Sequence, residues 1–221
     1  MNVLIIGASR GIGLEFVRQY RAAGASVTAT ARSEAALAGL RGLGAAAIAL
    51  DVADAESASR LAWQIDGKPF DVAVVCAGVY GPSTSGLQPP TEADFDAVMH
   101  TNVLGPMRVI PQLADAMAPG ARLAVLSSRM GAIGPRVSSS GWLYRASKAA
   151  VNSVLKDASL VLKGKVTCVS FHPGWVRTDM GGQGADIEVH ESVSNMRRVI
   201  AGLKPDDNGC FFNHDGSSID W

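Results

Sequence analysis

The segment Gly7-Ala8-Ser9-Arg10-Gly11-Ile12-Gly13 decides the fold because of what stands on either side of it. The apolar run Val3–Ile6 precedes it, and apolar residues at helical spacing follow it over Ile12–Ala23. Glycines let a backbone turn sharply from a strand into a helix, and the free N–H groups at the start of that helix attract a pyrophosphate. This context favours a dinucleotide-binding loop, although an ordinary tight turn between a strand and a helix uses similar residues.

The rest of the chain repeats the order of strand and helix. Short apolar runs predict strands at Val3–Ile6, Ser26–Thr30, Ala46–Leu50, Val72–Val75, Arg122–Leu126, Val166–Phe171 and Cys210–Phe212. Longer segments predict helices at Ile12–Ala23, Glu34–Leu40, Ala55–Ile65, Thr91–Met117, Tyr144–Leu162 and His190–Ile200. Pro106 and Pro111 predict a kink or break in the helix over Thr91–Met117.

This order predicts an α/β fold. We expect a single Rossmann-type, doubly wound parallel sheet of about seven strands, with helices on both faces. One domain over residues 1–221 is the simplest organisation. The segment Gly81–Gly86 is predicted to be a loop within that domain and not a boundary.

Composition and charge exclude several classes of protein. The 221 residues carry 20 basic and 20 acidic side chains, and this balance argues against nucleic acid or an anionic membrane as a partner. The three cysteines have no metal-ligand spacing, so we expect no metal site and reduced thiols in a cytoplasmic protein. No secretory signal is recognisable, and no apolar stretch approaches the ~18 residues that a membrane-spanning helix needs.

Tyr144-Arg145-Ala146-Ser147-Lys148 is the strongest chemical motif. Residues four apart share one face of a helix, so Lys148 is predicted to stabilise the Tyr144 phenolate and to lower the pKa of that side chain. A lysine whose stem covers the apolar side of an amphipathic helix would give the same spacing.

Together with the G-x-x-x-G-x-G spacing of the loop, this motif resembles the short-chain dehydrogenase/reductase family, and the resemblance runs along nearly the whole chain. It implies that Ser128 is the catalytic serine, that Asn102 is a structural and proton-relay residue, and that both act with Tyr144 and Lys148. Cys76-Ala77-Gly78 stands where the family usually has Asn-Asn-Ala-Gly, so an amide is lost at Cys76. The cofactor-binding residues expected from the loop and the resemblance are Gly7, Ser9, Arg10, Gly11, Ile12, Gly13, Arg32, Asp51, Val52, Ala77, Gly78, Tyr144, Lys148, Pro173, Gly174, Val176 and Thr178.

Two arginines favour NADP(H) over NAD(H). Relatives that prefer NAD tend to have a carboxylate near the position of Ala31, where this chain offers none. Arg32 follows directly and Arg10 lies inside the glycine loop, so two guanidinium groups are available to bind a 2′-phosphate. Two solvated surface arginines are the alternative interpretation, and NAD stays possible.

The segments His172–Gly182 and Asn208–Phe212 resemble one branch of the family, the C-factor-like proteins and the sniffer type of carbonyl reductase. That resemblance implies NADPH-dependent reduction of a small or aromatic ketone, aldehyde or quinone. A dinucleotide-binding signalling protein and an enzyme that oxidises alcohols are the alternatives. The candidate substrate-binding residues are Ser128, Trp142, Trp175 and Met180.

Two further expectations concern the surroundings of the site. The segment after Pro173, roughly Met180–Ser194, is predicted to cap the substrate pocket, and the glycines at its start predict that it is mobile before the cofactor binds. The helices predicted over Thr91–Met117 and Tyr144–Leu162 are the surfaces through which members of this family commonly associate, so we expect a homodimer or homotetramer.

Overall fold

Seven parallel strands form one sheet in the computed structural model, which describes residues 1–84 and 86–221. Ser85, in the predicted loop Gly81–Gly86, lies outside the described residues. The order across the sheet is β3-β2-β1-β4-β5-β6-β7, which confirms the predicted doubly wound α/β fold. The strands are β1 (Asn2–Ile6), β2 (Ser26–Ala31), β3 (Ala46–Ala49), β4 (Phe70–Val75), β5 (Met117–Leu126), β6 (Val166–His172) and β7 (Cys210–Asn213).

Helices connect successive strands across both faces of the sheet. Within the described residues none of them is both long and apolar enough to cross a membrane. The helix predicted over Ala55–Ile65 is divided in two at Arg60. The α-helices are α1 (Gly11–Ala22), α2 (Glu34–Gly42), α3 (Ala55–Ser59), α4 (Leu61–Gln64), α5 (Glu92–Met99), α6 (Gly105–Ala116), α7 (Trp142–Val161) and α8 (Val189–Gly202).

The long helix predicted over Thr91–Met117 is interrupted, but not by a proline break. A π-helical turn over His100–Leu104 joins α5 to α6. Pro106 stands in the first turn of α6, where its ring fits, and Pro111 lies inside α6 without ending it. Met117 already belongs to β5, because it pairs with Phe70 of β4, so β5 begins earlier than predicted. π-helical turns often mark functional sites, and this one carries Asn102.

Two apolar cores lie on opposite faces of the sheet. Successive side chains of a strand point to opposite faces, so Val3 and Ile5 of β1 pack in one core while Leu4 and Ile6 pack in the other. The first core includes α1, α2 and α8, and the second includes α4, α6 and α7. Burial of each large apolar side chain stabilises the fold by about 1.5–3 kcal/mol.

The chain reverses its direction across the sheet between β1 and β4. Gly7 follows β1, and Cys76 follows β4, so both stand at the carboxyl edge of the sheet. Ligands of open α/β sheets bind outside the carboxyl ends of the strands at such a reversal. The fold therefore places the glycine loop where a cleft is expected.

Candidate active site

A cleft of about 390 Å³ opens at this edge of the sheet. Its walls come from the glycine loop, the ends of β2 and β4, α7 and the segment after β6. Most of the predicted cofactor-binding residues line it together. These are Gly7, Ser9, Arg10, Gly11, Ile12, Gly13, Arg32, Asp51, Val52, Ala77, Gly78, Tyr144, Lys148, Pro173 and Thr178.

The glycine loop is packed too tightly for side chains at two of its positions. A Cβ atom on Gly13 would lie 2.1 Å from the Gly7 carbonyl oxygen, and one on Gly7 would lie 2.8 Å from the Ala77 Cα. Gly7 also has a φ of +84°, which other residues rarely adopt. Arg10 precedes α1 without capping it through its side chain, so the first N–H groups of the helix are available to an anion. This cradle fits the pyrophosphate of a dinucleotide.

Arg10 and Arg32 stand on the rim of the cleft, each beside a carboxylate. Arg10 Nη1 lies 2.7 Å from Asp179 Oδ2, and Arg32 Nη1 lies 3.7 Å from Asp51 Oδ2. The two arginine side chains are 71% and 72% exposed, so an incoming anion can reach both. The Arg10–Asp179 pair also joins the glycine loop to the segment after β6, a contact between distant segments that no sequence pattern indicated.

Tyr144 and Lys148 lie one turn apart on α7, and both side chains are buried at the cleft wall. Lys148 Nζ lies 5.6 Å from the centre of the Tyr144 ring and donates a hydrogen bond of 2.9 Å to the Leu126 carbonyl oxygen. Burial lowers the pKa of Lys148 to about 8.

Burial also raises the pKa of Tyr144 to about 12, and the Ser128 hydroxyl partly offsets this by acting as its hydrogen-bond partner. The lowered pKa predicted for Tyr144 is therefore wrong for this structure, because the loss of solvent outweighs the polar neighbours.

The two serines at the end of β5 have different surroundings. Ser128 is buried beside Tyr144, behind the cleft wall, and its Oγ accepts a hydrogen bond of 3.1 Å from the Met130 N–H. Ser127 lines the cleft itself, and its hydroxyl donates to the Lys148 carbonyl oxygen at 3.4 Å. The predicted catalytic serine thus lies against the phenol.

Asn102 is buried, and its side-chain amide makes hydrogen bonds with two different segments. Its Oδ1 accepts from the Val79 N–H at 2.8 Å, while its Nδ2 donates to the Val79 carbonyl oxygen at 2.8 Å and to Ser147 Oγ at 3.0 Å. A Cβ on Gly78 would lie 3.3 Å from Asn102 Oδ1 and 3.4 Å from Lys148 Nζ. The amide therefore ties the segment after β4 to α7, close to Lys148, and its relay role stays a prediction.

Two residues of the Pro173-Gly174 segment predicted to hold the cofactor lie outside the cleft wall. Gly174 packs against the His214 ring and Ile187, since a Cβ there would lie 3.1 Å from each. Val176 is buried and pairs with Ile187 as the segment folds back on itself. In this segment Pro173 and Thr178 line the cleft instead.

Of the four predicted substrate-binding residues, Met180 alone lines the cleft as described. Trp175 is exposed, and its ring N–H donates to the Gly181 carbonyl oxygen at 2.8 Å, which turns the indole onto its own segment. Trp142 begins α7 and lies outside the wall, with its ring nitrogen buried. Ser128 is not among the residues that line the cleft, but it lies beside Tyr144, which does line it.

Tyr80, which no sequence pattern singled out, places its ring against that of Tyr144. The ring centres are 4.7 Å apart and the planes are inclined by 31°. The available signal was its position two residues after Ala77-Gly78, in the segment that follows β4 along the cleft. Within residues 1–84 and 86–221, no group of three or more His, Cys, Asp or Glu side chains could hold a metal ion.

A family model and curated proteins both match this chain. The family model for short chain dehydrogenase matches residues 1–187. The C-signal protein of Myxococcus xanthus is 40% identical over 157 residues, which cover 69% of this chain and 93% of the relative.

Solved structures also resemble this chain over its whole length, and carbonyl reductases are among them. The carbonyl reductase Sniffer of D. melanogaster superposes with a TM-score of 0.90 at 26% identity, covering 100% of this chain and 99% of that chain. The NADPH-bound carbonyl reductase from chicken fatty liver has a TM-score of 0.86 at 29% identity, covering 100% of this chain and 98% of that chain.

Proposed function

Because this chain belongs to the short-chain dehydrogenase family, an NAD(P)-dependent class of oxidoreductases, we propose that it reduces a small or aromatic carbonyl compound with NADPH. The substrate class comprises ketones, aldehydes and quinones. The observation that carries this proposal is the placement of Tyr144 and Lys148 in the wall of the same cleft as the glycine loop. A protein that only bound a dinucleotide would need the loop but no buried phenol beside it.

The preference for NADPH rests on charge at the rim of the cleft. Arg10 and Arg32 are exposed there, and Ala31 lines the cleft where a carboxylate would repel a 2′-phosphate. A phosphate can form bidentate, charge-assisted hydrogen bonds with guanidinium groups and so replace Asp179 and Asp51 as their partners. The NADPH bound to the chicken carbonyl reductase supports the same choice.

When bound, NADPH supplies the hydride that reduces the carbonyl carbon. Tyr144 holds the proton that the carbonyl oxygen takes up, and the Ser128 hydroxyl lies beside it as a polar neighbour that favours its charged form. Lys148 has a pKa of about 8, so it is largely protonated at neutral pH. Its ammonium can donate to a ribose hydroxyl and can replace the proton that Tyr144 gives away.

Burial keeps the Tyr144 phenol protonated at neutral pH, because it raises the pKa to about 12, and a general acid must be protonated. The same groups catalyse the reverse reaction with the phenolate as the base. The direction therefore follows from the ratio of reduced to oxidised cofactor, and alcohol oxidation stays the alternative.

The experiment that tests this function measures NADPH oxidation with a panel of dicarbonyls, quinones and aromatic aldehydes. We expect turnover with at least one member of the panel and slower turnover with NADH. Tight NADPH binding without turnover on any member would favour a dinucleotide-binding signalling protein, the alternative that the 40% identity to C-signal brings forward.

We also propose that the chain is one domain and that it forms a homodimer or homotetramer. The single sheet supports one domain. Exposed apolar side chains on α5, α6 and α7 support association, namely Phe95, Met107, Leu160 and Val161. Light scattering after size exclusion should give the mass of two or four chains, and a monomer at all concentrations would refute the assembly.

A further inference from the structure

Tyr80 covers the ring of the proposed acid. Its ring centre lies 4.7 Å from that of Tyr144 with the planes inclined by 31°, which is close enough for direct contact between the two π systems. Tyr80 is half-buried and Tyr144 is buried. The outer ring thus shields the inner one from solvent on the side that it covers.

Gly141 leaves space for the Tyr80 hydroxyl, and a backbone hydrogen bond holds the two segments together. Gly141 precedes α7 with a φ of +67°, and a Cβ there would lie 2.6 Å from the Tyr80 hydroxyl oxygen and 3.3 Å from Met130 Cε. The Gly141 N–H also donates to the Thr84 carbonyl oxygen at 3.2 Å, which ties the segment after Tyr80 to the start of α7. The absence of a side chain at Gly141 is therefore what admits the Tyr80 hydroxyl.

The Asn102 side chain holds the backbone just before Tyr80. Both backbone hydrogen-bonding groups of Val79 bind the Asn102 amide, which in turn binds Ser147 of α7. Ser147 lies between Tyr144 and Lys148 in the chain. The same buried hydrogen bonds therefore hold the backbone next to Tyr80 and the helix that carries Tyr144. These bonds fix the relative position of the two tyrosine rings.

We propose that Tyr80 is a positioning residue, whose ring fixes the orientation of the Tyr144 phenol and excludes water from it. The kinetic part of this inference rests on the proposed carbonyl reduction, whereas the contact itself does not. The titratable groups around the phenol include Tyr80, Lys148 and, beyond Lys148, the Cys76 thiol. Burial and a negative charge on Tyr80 both raise the pKa of Tyr144, so loss of the Tyr80 ring should lower that pKa.

The first test needs no turnover. The chain contains three tyrosines, so a protein labelled with carbon-13 at the tyrosine Cζ gives three signals that single Tyr→Phe variants assign. We expect the wild-type Tyr144 signal to titrate at about 12. In Tyr80→Leu its pKa should fall towards the ordinary value of about 10, and in Tyr80→Phe, which keeps the ring, it should fall much less. An unchanged Tyr144 titration in Tyr80→Leu would overturn the proposal.

The second test separates positioning from general destabilisation. With any carbonyl that the wild type reduces, Tyr80→Leu should lose about tenfold or more in kcat, because small misplacements of a reacting group are costly. Its NADPH dissociation constant should stay near that of the wild type. Tyr80→Phe, which keeps the ring, should recover most of the lost kcat. A fall in kcat that Tyr80→Phe shares in full, or one matched by an equal loss of NADPH affinity, would indicate a different or merely structural role and overturn the proposal.

The outcomes also distinguish this inference from the proposed function. If the wild type reduces no carbonyl, the function fails while the titration still decides the role of Tyr80. If Tyr80→Leu does not fold, Tyr80→Met replaces it. Methionine is close to leucine in volume, is more flexible and also has no aromatic ring, so the same results are expected. A Tyr80→Met variant with wild-type titration of Tyr144 would overturn the proposal.

Discussion

The Lys148 ammonium lies 5.6 Å from the centre of the Tyr144 ring, yet its hydrogen bond goes to the Leu126 carbonyl oxygen. The two side chains share one face of α7, but each has its pKa changed mainly by burial and not by the other. Burial disfavours the charged form of both groups, which lowers the pKa of the lysine and raises that of the tyrosine. The site therefore contains a protonated phenol beside a buried ammonium, whose loss of hydration lowers the stability of the folded protein.

Replacement of that cation should stabilise the protein without cofactor. Lys148→Met removes a charge whose pKa is about 8 in the folded state and about 10.5 in the unfolded chain. We expect a gain of about 1–2 kcal/mol in the free energy of unfolding at pH 7, after allowing for the lost hydrogen bond to Leu126. Chemical denaturation measures this gain, and turnover should be lost in the same variant.

The pH dependence of that gain follows from the sign of the shift. Below pH 8 the lysine is protonated in both states, so the penalty in the wild type is at its full size. Between about pH 8 and 10.5 the unfolded chain binds more protons than the folded protein, so wild-type stability rises relative to the variant. The difference between the two proteins should shrink over this range. A gain that is the same at pH 7 and pH 10 would refute a buried, destabilised ammonium.

The rim arginines should set the choice of cofactor. Arg10→Ala and Arg32→Ala should each weaken NADPH binding about tenfold, equivalent to about 1.4 kcal/mol, through loss of charge-assisted hydrogen bonds. NADH, which has no 2′-phosphate, should be almost unaffected. Arg60→Ala is the matched control, because Arg60 is an exposed arginine that pairs with Glu56 away from the cleft. Titration by fluorescence measures all four proteins, and equal losses for NADH and NADPH would contradict the assignment.

A substitution at Gly13 tests whether the glycine loop binds the pyrophosphate, with Gly39 as the control. Gly13→Ala places a Cβ 2.1 Å from the Gly7 carbonyl oxygen, so the loop must move and NADPH affinity should fall at least about a hundredfold. Gly39→Ala is the control, because Gly39 lies in α2 with no atom within 4 Å of a new Cβ. That control should gain about 0.5–1 kcal/mol of stability from its higher helix propensity and keep its affinity. Calorimetric titration of both variants makes the comparison, and tight binding by Gly13→Ala would contradict this account of the loop.

Local patterns predicted the parts of the molecule that depend on local physics. The glycine loop, the strand at Val72–Val75 and the shared face of Tyr144 and Lys148 follow from turn chemistry and from the repeats of strands and helices. These features lie close in sequence, so a single segment carries the information for each of them.

Features that depend on contacts between distant segments were not visible in the sequence. The contact of Tyr80 with Tyr144 joins residues 64 positions apart and needs space at Gly141. The Trp175 indole turns away from the cleft because the Gly181 carbonyl oxygen accepts its N–H. The pKa of Tyr144 depends on how completely the assembled fold excludes water, which the spacing of two residues on a helix does not determine.

Tyr144→Phe tests the central claim most directly, because it removes one hydroxyl and keeps the ring that packs against Tyr80. The decisive measurement pairs the steady-state rate of NADPH oxidation, with the best carbonyl substrate of the panel, with the NADPH dissociation constant of the same protein. We predict an unchanged dissociation constant and a kcat lower by about 10²–10⁴-fold, the usual contribution of a general acid. A Tyr144→Phe protein that turns over at the wild-type rate would contradict the account.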